Sequence, residues 1–211
     1  MAKWQEVSER MLQFVKEFPD DTILIGGIAV YLHSLASERA GVPTEYTQDV
    51  DVYVGLPAWG TIRENYETTP NNRLAKSQMK LGSVEFDIYV QKAAELCVTY
   101  EQVALYAERI DGIRVACKEH LLLLKLKAFA NRKASSHGRK DRRDLAKLLV
   151  LLADSKPDQI LAYVTDKDVS LLLEVICPDV FLELTNQNAH LASKLRKRAV
   201  KYVDKLVVAM A

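Results

Sequence analysis

Two short apolar runs that carry acidic residues at alternate positions constrain the fold of this 211-residue chain more than any other feature. Residues 47–54 contain Asp49 and Asp51, and residues 84–90 contain Asp87. Each run has the length and the Val, Ile and Tyr content of a β-strand. Successive strand side chains point to opposite faces, so Asp49 and Asp51 share a face, which Asp87 joins if the second run pairs alongside. The sequence therefore predicts a sheet with carboxylates on one face.

Such a set of carboxylates predicts a metal site. Three carboxylates within a few ångströms repel one another unless a cation neutralises them. Ligands that are all oxygen favour Mg²⁺ or Mn²⁺ over zinc. The alternative for Asp49 and Asp51 alone is a solvated or capping pair at a strand edge. Glu85 shares the face of Asp87 by the same alternation, and we expect it to lie toward the edge of the sheet.

A glycine pair predicts a phosphate site next to these carboxylates. Gly26 and Gly27 follow the apolar run 23–25 and precede residues 28–35, whose pattern suits a buried helix. A helix that begins here presents unpaired backbone N–H groups to an anion, and glycine lets the anion approach the backbone closely. The alternative is a glycine pair that only permits a tight strand-to-helix turn.

A second set of candidates lies on two predicted helices, 118–130 and 141–153, and directly beside them. They are Lys125, Arg132, Lys140, Asp141 and Asp144. Lys125 and Arg132 are seven residues apart and so share a helix face. A lysine over a metal-bound triphosphate would neutralise charge on the departing pyrophosphate, and Asp141 with Asp144 would orient it. The alternative is that Lys125 lies at the edge of the core and Asp144 forms a surface salt bridge.

Taken together, these motifs resemble the polymerase-β-type nucleotidyltransferases, and within them the AbiEii-like branch of toxin-type, abortive-infection enzymes. The resemblance covers roughly residues 20–150 and rests on Gly26-Gly27-x-Ala29, Thr47-x-Asp49-x-Asp51, Asp87, the 124–132 helix and Lys140-Asp141-x-x-Asp144. The chain has Gly26-Gly27 where many members of the superfamily have Gly-Ser, so no hydroxyl is available at that point.

The resemblance implies a Mg²⁺-dependent (or Mn²⁺-dependent) nucleotidyltransferase that moves a nucleoside monophosphate from a nucleoside triphosphate to an acceptor hydroxyl. It implies a tRNA 3′ end or a protein as acceptor, and a toxin with a cognate antitoxin as partner. The implied catalytic residues are Asp49, Asp51, Asp87, Lys125 and Asp141. The implied nucleotide-binding residues are Gly26, Gly27, Thr47, Lys125, Arg132, Lys140 and Asp144. The implied metal ligands are Asp49, Asp51 and Asp87.

Two alternatives stay open. An antibiotic-modifying nucleotidyltransferase would need an acidic pocket for a cationic small molecule, and the basic stretch 125–147 argues against one. A nucleotide- or RNA-binding regulator that kept the fold without turnover would be expected to lose one of its carboxylates. The basic stretch itself suggests contact with a polyanion such as RNA, although the net charge of the chain is only +1.

The predicted fold is α/β (α+β). A nucleotidyltransferase core with a small mixed β-sheet flanked by helices, residues 1–117, precedes a C-terminal helical bundle, residues 118–211. The core is predicted to contain a helix at 4–18, a crossover helix at 57–68, a break at 70–72 and a hairpin of strands 103–110 and 113–117. In the bundle, we expect a mobile loop at 133–138 and a final helix at 189–210.

From the composition we expect a cytoplasmic protein that does not associate with membranes. No apolar run approaches the length of a membrane span, and the amino-terminal residues lack the apolar stretch of a signal peptide. The three cysteines are scattered and lack Cys-x-x-Cys spacing, which is typical of reduced thiols and of neither disulfides nor zinc ligands.

Overall fold

The computed structural model describes residues 4–37 and 41–211. Within these ranges the chain forms two units. Residues 4–32 and 45–117 form the first, and residues 33–37, 41–44 and 118–211 form the second. The sequence-based division assigned 33–44 to the first domain instead.

A mixed β-sheet is the centre of the first unit. Its strands are β1 (Thr22–Ile25), β2 (Asp49–Val54), β3 (Thr68–Asn71), β4 (Lys76–Leu81), β5 (Val84–Val90), β6 (Glu108–Ile110) and β7 (Ile113–Val115). Among the described residues they form one seven-stranded sheet in the order β3-β4-β5-β2-β1-β7-β6. β2 pairs with β5 in parallel and β1 with β7 in parallel, whereas the other neighbours are antiparallel.

Helices flank the sheet and build the second unit. Those of the first unit are α1 (Trp4–Glu17), α2 (Gly26–Ala36, which continues into the second), α3 (Leu56–Asn65) and α4 (Tyr100–Leu105). Those of the second unit are α5 (Lys118–Arg132), α6 (Ser136–Leu151), α7 (Asp166–Val175), α8 (Pro178–Leu184) and α9 (Ala189–Met210). A mixed sheet flanked by helices and followed by helices is the predicted fold class, which is therefore confirmed.

The alternation of β5 sorts its side chains onto two faces of the sheet. Val84, Phe86, Ile88 and Val90 are buried, whereas the residues between them are half-buried or exposed. Phe86 packs against Phe14 of α1, with ring centroids 5.1 Å apart. One face of the sheet therefore supports the core under α1, and the opposite face carries polar groups.

Two regions of the first unit differ from the sequence-based prediction. The segment predicted as strand 103–110 begins as the helix α4, because Thr99 caps it by accepting a hydrogen bond from the backbone N–H of Gln102, 3.3 Å away. The predicted crossover helix 57–68 ends earlier, at Asn65, because residues 68–71 form the edge strand β3, in which Pro70 lies. An edge strand tolerates proline because one side of it forms no ladder.

The segment predicted as a mobile loop at 133–138 contains the start of a helix. Ser135 caps α6: its side chain accepts a hydrogen bond from the backbone N–H of Gly138, 3.1 Å away. Helix α6 thus begins five residues earlier than the predicted Asp141. In the described ranges, no helix combines the length and the apolar character that crossing a bilayer requires.

Candidate active site

The predicted carboxylates lie on the polar face of the sheet, on the neighbouring strands β2 and β5. The parallel register sets Asp51 opposite Asp87 and Asp49 opposite Glu85. Asp49, Asp51 and Asp87 are half-buried, whereas Glu85 is exposed and pairs with Lys80 at 3.2 Å. The structure therefore brings Asp51 and Asp87 side by side on a shared face with Asp49, and Glu85 belongs to the solvated edge.

Tyr53 continues the face of Asp49 and Asp51 into the core. Its side chain is buried, and its ring meets that of Tyr100 edge-on at 5.4 Å. Desolvation, with a smaller effect of the nearby Glu101 charge, raises the pKa of Tyr53 to about 12. The phenol is therefore neutral at physiological pH, and the acidic part of this face ends at Asp51.

Gly26 lies in close contact with one of these carboxylates, that of Asp51. The antiparallel register of β1 and β2 sets Ile25 opposite Asp51, so that Gly26 follows directly at the start of α2. A Cβ atom on Gly26 would lie 1.9 Å from Oδ2 of Asp51, and the φ of Gly26 is +64°. Only glycine satisfies both conditions, and the carboxylate of Asp51 therefore rests on the backbone at the beginning of the helix.

Gly27 is buried in the first turn of α2. The first backbone N–H groups of a helix lack intrahelical partners and favour a negative charge nearby. The predicted phosphate site and the predicted carboxylate site are thus adjacent in the first unit. The observation that joins them is the contact between Asp51 and Gly26.

Thr47 forms a hydrogen bond with one carboxylate of this site, that of Asp49. Its side chain is buried, and its Oγ1 donates a hydrogen bond to Oδ1 of Asp49 at 2.5 Å. The sequence assigned Thr47 to nucleotide binding, and that role stays a prediction. The structure shows a residue that fixes the orientation of Asp49.

Asp87 has two partners on β4 that sequence reasoning missed. Lys76 forms a salt bridge with Oδ2 of Asp87, and Nε2 of Gln78 donates to Oδ1 at 2.9 Å. Gln78 stands opposite Asp87 in the β4–β5 register. The alternation Lys76-x-Gln78-x-Lys80 was the available signal, but β4 was not recognised as a strand because Met79 is its one fully buried residue.

The donors on this face suit a hard divalent cation. Asp49 and Asp51 offer carboxylate oxygens two residues apart on one strand, which is the ligand chemistry of Mg²⁺ and Mn²⁺. Within residues 4–37 and 41–211, however, no three His, Cys, Asp or Glu side chains are grouped closely enough to hold a metal ion. The three predicted ligands are therefore not grouped as a metal site: Asp87 is engaged by Lys76 and Gln78, and Asp49 and Asp51 remain the candidates for holding an ion.

The second set of candidates forms a charged network between α5 and α6 in the second unit. Nζ of Lys125 lies 3.2 Å from Oδ1 of Asp141 and 2.8 Å from Oδ2 of Asp144. Arg132 clamps Asp141 from the other side, with Nε 2.6 Å from Oδ2 and a terminal nitrogen 3.0 Å from Oδ1. Lys147, which sequence reasoning did not single out, lies 3.7 Å from Oδ1 of Asp144.

This network is buried, in contrast to the surface salt bridge considered for Asp144. Lys125, Asp141, Asp144 and Lys147 are each less than a tenth exposed. Ions that are taken out of water must be compensated by partners, and here three cations surround two carboxylates. Lys140 precedes Asp141 on α6 and is half-buried. The structure thus brings Lys125, Arg132, Asp141 and Asp144 together, and their catalytic and nucleotide-binding roles stay predictions.

Most of the basic stretch 125–147 is neutralised inside the second unit. Besides the network, its described ion pairs are Lys127–Asp168, Lys133–Glu174, Arg142–Asp179 and Arg143–Glu183. The acidic partners come from α7 and α8, which are distant in sequence. A stretch that appears strongly basic along the chain is therefore much less so in the fold, and this weakens the sequence-based argument for a polyanionic acceptor.

Comparison with known proteins identifies the fold. No family model matches the chain, and no curated protein matches it. Among solved structures, an antigenic nucleotidyltransferase-like protein from Paracoccidioides brasiliensis superposes with a TM-score of 0.51 at 16% sequence identity, over 92% of this chain and 92% of that one. JHP933 from Helicobacter pylori superposes with a TM-score of 0.50 at 14% identity, over 100% of this chain and 93% of that one. The chain has a nucleotidyltransferase-like fold.

Proposed function

We propose that this protein is a metal-dependent nucleotidyltransferase that transfers a nucleoside monophosphate from a nucleoside triphosphate to an acceptor hydroxyl. The observation that carries the proposal is the contact of the Asp51 carboxylate with Gly26 at the start of α2. A carboxylate oxygen next to a helix terminus suited to phosphate, with Asp49 on the same face, supports a site for a metal-bound triphosphate. The nucleotidyltransferase-like fold supports the same reaction class.

The proposed reaction is a direct displacement. The acceptor oxygen forms a bond to the α-phosphorus, the bond from that phosphorus to the α,β-bridging oxygen breaks, and pyrophosphate leaves. A bound divalent ion would supply charge neutralisation on the triphosphate. Asp49 and Asp51 would hold that ion, and Thr47 keeps Asp49 oriented through its 2.5 Å hydrogen bond. Gly26 and Gly27 let the phosphates approach the backbone.

Asp87 belongs to the acceptor side of the proposed site. It stands next to Asp51 in the β2–β5 pair and accepts hydrogen bonds from Lys76 and Gln78. Its role toward the incoming hydroxyl is either that of a further metal ligand or that of a group that helps to take up the proton.

The proposed acceptor and biological setting rest on the resemblance of the sequence motifs. The motifs that resemble the toxin-type branch favour a tRNA 3′ end or a protein hydroxyl as acceptor, and a cognate antitoxin as partner. The ion pairs within 125–147 remove part of the argument for RNA and, with it, part of the objection to a cationic small molecule. An antibiotic-type acceptor is therefore the second candidate.

One labelling experiment tests the proposal and separates these acceptors. The purified protein is incubated with each α-labelled nucleoside triphosphate, Mg²⁺, and total tRNA or an aminoglycoside, beside the isosteric variants Asp49→Asn and Asp51→Asn. Label on tRNA or on protein supports the first proposal, and label on the aminoglycoside supports the second candidate. Nucleotide binding without transfer in the wild type would instead indicate a regulator. Both variants should lose transfer.

A further inference from the structure

The carboxylate of Asp87 already has a positively charged partner within the protein, the side chain of Lys76. Lys76 of β4 forms a salt bridge with Oδ2 of Asp87, and the two side chains are 9% and 15% exposed. The other carboxylate oxygen accepts a hydrogen bond from Gln78 at 2.9 Å. Both oxygens of Asp87 are thus engaged by donors of a single neighbouring strand, in a pair that is largely shielded from water.

The position of Lys76 is fixed by the sheet. In the β4–β5 register, Ser77 stands opposite Ile88 and Gln78 opposite Asp87, so Lys76 shares the face of Gln78 and lies next to Tyr89. Nζ of Lys76 lies 5.9 Å from the centroid of the Tyr89 ring, within the range of a cation–π contact. The ammonium group is therefore held between a carboxylate and the face of an aromatic ring.

A divalent ion on Asp87 would have to displace this ammonium group. Two cations on one carboxylate repel each other, and the repulsion is strong where little water screens it. Lys76 would also lose its contact with the Tyr89 ring if it moved into solvent. Lys76 and a metal ion are thus mutually exclusive partners of Asp87.

We propose that Lys76 is the resident counter-ion of Asp87 and confines the divalent ion to Asp49 and Asp51, so that this protein works with a single metal ion. The inference rests on the proposed function. Lys76 is a positioning residue: its salt bridge holds the Asp87 carboxylate in a fixed orientation on the face of β5. Of the two roles considered above for Asp87, that of a further metal ligand is thereby excluded.

The number of bound ions tests the inference without reference to turnover. Mn²⁺ bound per chain is measured by electron paramagnetic resonance and equilibrium dialysis on the full chain, saturated with a nucleoside triphosphate analogue that has a non-cleavable α,β bridge. We expect one ion in the wild type and two in Lys76→Gln, where the neutral amide frees the carboxylate. The double variant Lys76→Gln/Asp87→Asn should return to one, which assigns the second ion to Asp87.

The controls address charge and fold. Lys80→Gln removes a lysine of the same strand and face, whose partner Glu85 is exposed, and should bind one ion. Lys76→Arg keeps the charge and should also bind one. Two ions in the wild type, or one in a folded Lys76→Gln, would overturn the inference while leaving the proposed function intact. If Lys76→Gln does not fold, the numbers of Mn²⁺ ions bound by the wild type and by Lys76→Arg test the inference: one ion in each supports it, and two in either would overturn it. Absence of any bound ion in the wild type would refute the proposed function itself.

Discussion

Gly26 and Asp51 are in such close contact that any larger residue at position 26 would displace the carboxylate: a Cβ atom at Gly26 would lie 1.9 Å from Oδ2 of Asp51. The contact crosses from the start of α2 to the neighbouring strand β2. It also fixes where the carboxylate stands relative to the first backbone N–H groups of the helix. A site built on this contact depends on the glycine as much as on the carboxylate.

The first prediction concerns Gly26→Ala. The new methyl group would push the Asp51 carboxylate away, and the φ of +64° adds strain of about 1–2 kcal/mol. A misplacement of about 1 Å at a catalytic site costs on the order of 100-fold in rate. We therefore expect nucleotide transfer to fall by about that factor, as measured by initial rates with a labelled triphosphate.

Gly112→Ala is the matched control for this prediction. Gly112 also has a positive φ, +81°, but a Cβ atom there would meet no described atom within 4 Å. This variant should show the backbone strain alone, with a lower melting temperature and an unchanged transfer rate. Equal transfer rates for Gly26→Ala and the wild type would show that the contact has no part in the reaction.

The second prediction concerns the buried network of the second unit. Lys125→Met leaves the carboxylates of Asp141 and Asp144 facing each other with less compensation, and breaking a buried pair in this way costs about 3–5 kcal/mol. Lys133→Met breaks a pair with Glu174 in which both side chains are half exposed, and should cost less than about 1 kcal/mol. Urea unfolding followed by circular dichroism measures both, and similar losses would contradict the burial argument.

The third prediction tests the turn between α5 and α6. A Cβ atom on Gly138 would lie 2.3 Å from the carbonyl oxygen of Arg132 and 2.7 Å from that of Lys133. Because backbone atoms cannot give way cheaply, Gly138→Ala should lower the free energy of unfolding by about 1–3 kcal/mol. Gly60→Ala, in α3 and with no described atom within 4 Å of the added methyl, should instead raise it by about 0.5–1 kcal/mol. A shift of the unfolding free energy in the same direction for both variants would contradict the close approach of Gly138 to the carbonyl oxygens of Arg132 and Lys133.

The fourth prediction concerns acid stability. Burial alone would raise the pKa of Asp168, but the hydrogen bonds from Lys127 and Thr165 outweigh it, and the pKa lies below its ordinary value of 3.8. A group whose folded pKa is lowered stabilises the fold above its unfolded pKa, and this contribution is lost as the pH falls through the folded pKa. Asp168→Asn should therefore be less stable at neutral pH and should lose less stability than the wild type below about pH 4. Asp166→Asn, exposed on the same helix, is the control and should keep the wild-type acid dependence.

The sequence was sufficient to predict those elements in which the spacing of apolar residues follows a single strand or helix period. In β2 and β5, strict alternation of apolar and acidic residues identified the strands and their polar face, including the juxtaposition of Asp51 and Asp87. The long helix α9 was predicted with its observed bounds, because a consistent apolar stripe runs through 22 residues. These features follow from local patterns that tertiary contacts reinforce.

The rest depended on partners that are distant in sequence. β3 and β4 have few buried residues, so neither resembles a strand by itself, and the Lys76 partner of Asp87 therefore went unrecognised. The basic stretch 125–147 was interpreted as a charged surface, but α7 and α8 bring the acidic residues that neutralise much of it. Pairing across the sheet and between helices is set by the whole fold, which a linear pattern does not contain.

The most direct test of nucleotidyl transfer compares the position of the label in the donor. With Mg²⁺ and the acceptor mixture, label in the α-phosphate of the nucleoside triphosphate should become covalently attached to an acceptor, whereas label in the γ-phosphate should appear in pyrophosphate. Asp51→Asn should abolish both signals. Attachment of the γ-label would show a phosphotransferase, and absence of α-label from every acceptor under conditions in which the triphosphate binds would contradict the account.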